Sequence, residues 1–140
     1  MLSFADFFAI NSEEEAMILQ PGEDFAFPNT GANSNSGISE ITETSFNLEN
    51  IGSYLVMFNV TTIQTPKLGL TLDDELLDYT VAGRPSGASQ IVGMTIITTT
   101  QENSVLTVRY PDDDAYSGEA VPTENPRQDT TSHLVIVQLS

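Results

Sequence analysis

The chain has 140 residues, 39% of them hydrophobic, with no cysteine and 20 acidic against 4 basic residues, a formal net charge of −16 at pH 7. That length suits a single domain spanning residues 1–140, able to bury about two-thirds of the surface its unfolded chain exposes, and the missing cysteine excludes disulfide frameworks and thiolate zinc sites. So acidic a surface repels nucleic acid and anionic lipid, which leaves cations, neutral sugars, basic proteins and further copies of the chain as partners.

No apolar run approaches the roughly 20 residues of a membrane-spanning helix. The opening residues Met1, Leu2, Ser3 and Phe4 lack a basic stretch and do not read as a signal peptide. Phe4, Phe8 and Ile10 alternate with Ala5, Phe7 and Ala9, which predicts an opening strand apolar on both faces. Residues 11–15 are polar, with room for one helical turn at 13–15. Residues 16–20 predict a short strand stopped by Pro21 and Gly22. After Phe25 to Pro28, the Asn-, Ser- and Gly-rich residues 29–37 predict a loop, and residues 45–48 a short strand with Phe46 and Leu48 on one face.

Asn50, Ile51 and Gly52 turn the chain into its longest strand candidate, residues 53–65. Tyr54, Val56, Phe58 and Val60 line one side; Leu55, Met57 and Ile63 share the other with Asn59 and Thr61. A strand apolar on both faces needs cover on both, from the sandwich core on one side and from an extra layer or another subunit on the other. Leu68, Leu70 and Leu72 then predict a half-buried strand, residues 73–75 a turn and 76–82 a returning strand. Residues 83–87 predict a loop, and 90–101 a strand rich in Ile and Thr. Glu102 and Asn103 suggest a tight hairpin into residues 104–110. Residues 112–131 predict a long acidic surface excursion, and 134–139 a closing strand lying beside the first. Eight to ten short strands with no helix predict an all-β, two-sheet antiparallel jelly-roll sandwich.

The run from Ile51 to Val60 is followed in order by Lys67 to Leu72, Gly83 to Gly93, Ser104 to Pro111 and Ser132 to Leu139, five blocks spread between residues 51 and 139. In that order these blocks resemble the C-terminal domain of the collagen-like exosporium proteins of bacilli and clostridia (BclA-like), whose fold is a tumour-necrosis-factor-like jelly roll. The resemblance implies a homotrimer packed about a three-fold axis, capping a collagen-like stalk on a spore or cell surface, and so an extracellular structural protein. The chain itself contains no Gly-X-Y run. Tyr54, Val56, Phe58 and Val60 are the expected structural or interface residues, with Gly93 giving backbone freedom at a strand entry. Arg84 and Arg109 are expected as ion-pair partners because basic residues are so scarce.

Catalytic chemistry finds little support. His133 is the single histidine and no Gly-x-Ser-x-Gly elbow exists, so it reads as a hydrogen-bonded imidazole at a strand end. Asp73 with Asp74, and Asp112, Asp113 and Asp114, could mimic a glycosidase pair or a calcium site. However, neighbouring carboxylates on an extended chain point to opposite faces, and neither run has EF-hand spacing. Calcium near residues 112–114 is the one metal expectation. The glycosylation sequon at Asn59 falls mid-strand and reads as chance. The expected role is a non-catalytic trimeric head that presents its loops. The alternatives are a glycan- or host-protein-binding module of the same fold and, more remotely, a carboxylate-dependent glycan hydrolase.

Overall fold

The computed structural model describes residues 2–10, 20–62, 67–83, 89–112 and 131–140. Ten strands run through them: β1 (Phe4–Ile10), β2 (Asn29–Asn33), β3 (Ile38–Thr42), β4 (Ser45–Leu48), β5 (Ser53–Thr62), β6 (Lys67–Leu72), β7 (Glu75–Gly83), β8 (Ser89–Thr98), β9 (Ser104–Arg109) and β10 (Thr131–Gln138). They form two five-stranded sheets, ordered β2-β1-β10-β5-β8 and β3-β4-β9-β6-β7, with every paired strand antiparallel. The last strand lies between β1 and β5, beside the first as expected.

Alternation decides what the sandwich buries. In the first sheet Ala5, Phe7, Ala9, Leu134, Ile136, Tyr54, Val56, Phe58, Val60, Ile91 and Ile97 point inward. Phe46, Leu48, Leu68, Leu70, Leu106 and Val108 meet them from the second sheet. Phe25 and Phe27 lie on the segment before β2 and join the same core. The Phe7 and Phe46 rings sit 4.5 Å apart, and Phe27 stacks edgewise on Phe46 at 6.3 Å. At about 25 cal/mol per Å² of apolar surface removed from water, this interior supplies most of the drive to fold.

Several local expectations are corrected. Residues 29–33, expected as loop, form β2 along the edge of β1 across a bulge. The Asn- and Gly-containing strand has no fully buried face, so its sequence carries no alternation to read. Strand β3 escaped notice for the same reason, since only Ile38 of its five residues is buried. Glu102 and Asn103 do not tip a hairpin: β8 belongs to the first sheet and β9 to the second, so the chain crosses the sandwich there. Asn103 supports the crossing with a positive φ of 57° and an amide bonded to the Glu49 carbonyl. Strand β6 is not half-buried but covered on both sides, because Leu76 and Val81 of β7 close over Gly69. Where β6 and β7 slip register, the Thr80 hydroxyl accepts from the Leu70 amide at 2.9 Å and donates to the Leu77 carbonyl at 2.6 Å. The turn at residues 73–75 holds. Asp73 and Asp74 both have positive φ, 52° and 68°, the type I′ geometry that matches strand twist in a two-residue hairpin.

The expected helical turn at 13–15, most of the strand expected at 16–20, Ile63, Gly87 and all but the two ends of the excursion at 112–131 lie outside the described residues. No helix among the described residues is long and apolar enough to cross a membrane.

Candidate functional site on the outer face of the first sheet

Strands β1, β10, β5 and β8 lie side by side, and their register lines the outward side chains into three rows. Phe4, Val137, Leu55 and Ile96 form one; Asp6, Val135, Met57 and Met94 the next; Phe8, His133, Asn59 and Val92 the third. Nine of these twelve side chains are apolar and only Asp6 is acidic, on a chain with 20 acidic residues. Val92, Met94 and Ile96 are 56, 66 and 56% exposed, and Phe4 is 41% exposed. Among the described residues no further layer covers them. Monomeric proteins rarely leave so continuous an apolar surface in water.

One polar chain crosses this surface. Asp6 Oδ1 lies 2.7 Å from His133 Nδ1, and His133 Nε2 lies 2.7 Å from Thr131 Oγ1. The imidazole stacks on Phe8 with centroids 5.7 Å apart. Next to it, Asn59 Oδ1 is buried without a hydrogen-bond partner. A carboxylate, imidazole and hydroxyl in series are the groups of a nucleophilic triad. A hydrolytic triad also needs a pair of donors converging beside the hydroxyl to hold an oxyanion; among the described residues the three groups lie on paired strands, Thr131 opposite Ile10 and His133 between Phe8 and Asn59.

The residues expected from sequence fall elsewhere. Tyr54, Val56, Phe58 and Val60 are buried between the sheets, at most 1% exposed. Gly93 sits mid-strand opposite Phe58, and its role is space: a Cβ there would lie 2.4 Å from the Phe58 ring. The expectation of backbone freedom at a strand entry is therefore corrected. Burial pushes the Tyr54 phenol above its usual pKa, with the Glu49 charge acting in the same direction.

Arg109 lies on the second sheet, away from the apolar rows. Its Nε meets Asp24 Oδ1 at 2.8 Å and its Nη2 meets Asp74 Oδ1 at 2.6 Å, while Thr107 donates to the same Asp24 oxygen at 3.1 Å. The bond to Asp24 is the main cause that raises the guanidinium pKa, and Asp74 adds to it against the cost of burial. Together with the backbone bridge between Asp24 and Arg109, this group clips the segment before β2 onto the end of β9. Arg84, Asp113 and Asp114 lie outside the described residues, and Asp112 is exposed. Among the described residues, no three His, Asp or Glu side chains gather as a metal site. The hydrogen-bonded imidazole expected of His133 near a strand end is what the structure shows, whereas sequence reading missed its partner Asp6 and the ring of Phe8 stacked on it. Their pairing depends on β10 lying beside β1, and the expected neighbourhood of those two strands was the only signal available.

No protein-family model and no curated protein matches this sequence. Solved structures do match in shape. Eiger TNF from S. frugiperda superposes with a TM-score of 0.63 at 13% identity, covering 99% of this chain and 93% of that one. Murine APRIL gives 0.58 at 13% identity, with 99 and 100% covered. The globular domain of zebrafish complement 1qA protein gives 0.57 at 12% identity, with 98 and 96% covered. The fold is a tumour-necrosis-factor-like jelly roll. Within that jelly roll the apolar rows occupy the sheet that holds the first and last strands, and the Arg109 cluster occupies the other.

Proposed function

We propose that the chain is a non-catalytic, trimeric head domain of a bacterial collagen-like surface protein, extracellular on a spore or cell surface, that drives trimerisation and presents its loops outward. The carrying observation is the outer face of the first sheet, where a chain of net charge −16 gathers nine apolar side chains around a single carboxylate. Charge depletion with Met and aromatic enrichment is the composition of an interface core. Like-charged copies associate only where the repelling charges are absent. The exosporium-like sequence blocks favour three copies about an axis and a place on the surface. The placement of Asp6, His133 and Thr131 on paired strands within this apolar face favours a structural over a hydrolytic role.

Light scattering after size exclusion, across a dilution series, tests this reading. A mass of three chains that persists on dilution is the expected result. A monomer that stays monomeric when concentrated removes the trimeric head and leaves the jelly roll standing.

A further inference from the structure

At the edge of the sandwich away from β8, residues of the outermost strands β2 and β3 and of the segment between them line a cleft of about 460 Å³. Its volume falls in the roughly 300–1,000 Å³ range of small-ligand sites. Phe7 and Ile38, both nearly buried, line it together with Gly37, and the remaining lining side chains are amide, hydroxyl and carboxylate. We infer that this cleft binds a short neutral oligosaccharide, a function separate from self-association through the outer face of the first sheet.

One wall is held in advance. The Asn33 side chain accepts from the Asn35 amide at 2.9 Å and donates to the Gly31 carbonyl at 3.0 Å. Ser34 is fastened to β1 through both the amide and the carbonyl of Phe4. Asn35 and Gly37 have φ of 60° and 80°, and a Cβ on Gly37 would lie 2.2 Å from Ser3 Oγ. A wall so fixed loses little freedom when a ligand arrives. The Asn35 side-chain amide and the Ser36 and Ser39 hydroxyls stand on it with no partner elsewhere among the described residues, and Glu40 and Glu49 line the same space.

The chemistry selects the ligand class. Amides give and accept at once, hydroxyls do likewise, and carboxylates accept only, so the set complements a ring of vicinal hydroxyls. No lysine or arginine lines the cleft, and two carboxylates do, which disfavours phosphorylated, sulfated or sialylated sugars. A basic peptide would gain from Glu40 and Glu49 but would leave the neutral majority of the lining without matched partners.

The test places the assembled protein on an array of neutral hexose and N-acetylhexosamine oligosaccharides, sialylated and sulfated counterparts, and a lysine-rich peptide. Asn35→Gly keeps the positive φ and the backbone amide while deleting the side-chain amide, and Glu49→Gln removes the charge from an exposed side chain. Retention of a neutral oligosaccharide is expected, with affinity falling about tenfold in each variant. The light-scattering mass and melting temperature should stay as in the parent, so failure here is distinct from failure of the trimer. Silence toward neutral sugars, preference for the anionic ones or for the peptide, or binding that both variants leave intact would each overturn the inference.

Discussion

Gly93 shows how a single missing methyl shapes this core. Its inward position in the row Phe7, Leu134, Phe58, Gly93 is empty because the Phe58 ring leans across the sheet to fill it. Gly93→Ala should therefore overpack the core and cost about 1–3 kcal/mol, read as a lower thermal midpoint; an unchanged midpoint would mean that the ring moves aside freely. Tyr54 makes a pH prediction. A phenol whose pKa is raised by folding adds stability below its ordinary value of 10.0, lost as pH rises through the folded value. Denaturation midpoints should fall in the alkaline range, and Tyr54→Phe should flatten that limb. Arg109→Met would leave the half-buried Asp24 carboxylate without its cation. With the partial exposure of both groups allowed for, the loss should be roughly 1–2 kcal/mol, and an unaltered melting temperature would reduce the cluster to a surface pair.

Among the elements, the legible strands were those whose sequence alternates because one face enters the core. Residues 45–48 declared themselves this way, while the opening strand, the long strand from residue 53 and the closing strand did so as β-rich runs apolar on both faces. Edge strands β2 and β3 bury almost nothing, so pairing and not side-chain pattern makes them strands. The crossing between β8 and β9 was misread because a turn signal such as Asn103 fixes local backbone without saying which sheet receives the next strand. Asp73 does more than turn the chain from β6 into β7. Its carboxylate accepts from the Val105 amide at 2.9 Å and from Gln101 Nε2 at 2.9 Å, tying that hairpin to the crossing. Asp73→Ala should cost about 1–3 kcal/mol, because it strands a backbone donor and places Ala at positive φ. Measured by denaturant titration, it should exceed Asp73→Asn, which keeps an acceptor and tolerates the left-handed region.

At the scale of the molecule, the two-faced character of residues 53–62 announced a second packing surface, and the register shows what it consists of. Alternation alone could not tell which face met the other sheet, since Tyr54, Val56, Phe58 and Val60 are no more apolar in pattern than a good interface would be. The inward set is the one with the larger rings, which need the depth of a sandwich. The outward set is Leu55, Met57 and Asn59, with Met94 of β8 beside Met57. Met94→Glu, at a 66% exposed position, should leave the fold and its melting curve near the parent's while reducing the light-scattering mass. A mass unaffected by that charge would move the self-association surface elsewhere.

The position of β10 bears on the order in which the protein comes into being. Asp6 and His133 touch although they are 127 residues apart in sequence, and β10 fills the gap between β1 and β5. During synthesis β1 therefore has no central partner until residues 131–138 leave the ribosome, and until then β5 offers an unpaired edge to any neighbour. The nascent chain is thus a half-built sheet that others can complete, and neighbouring chains on one message are the nearest candidates. Folding should be slow and governed by this long-range closure.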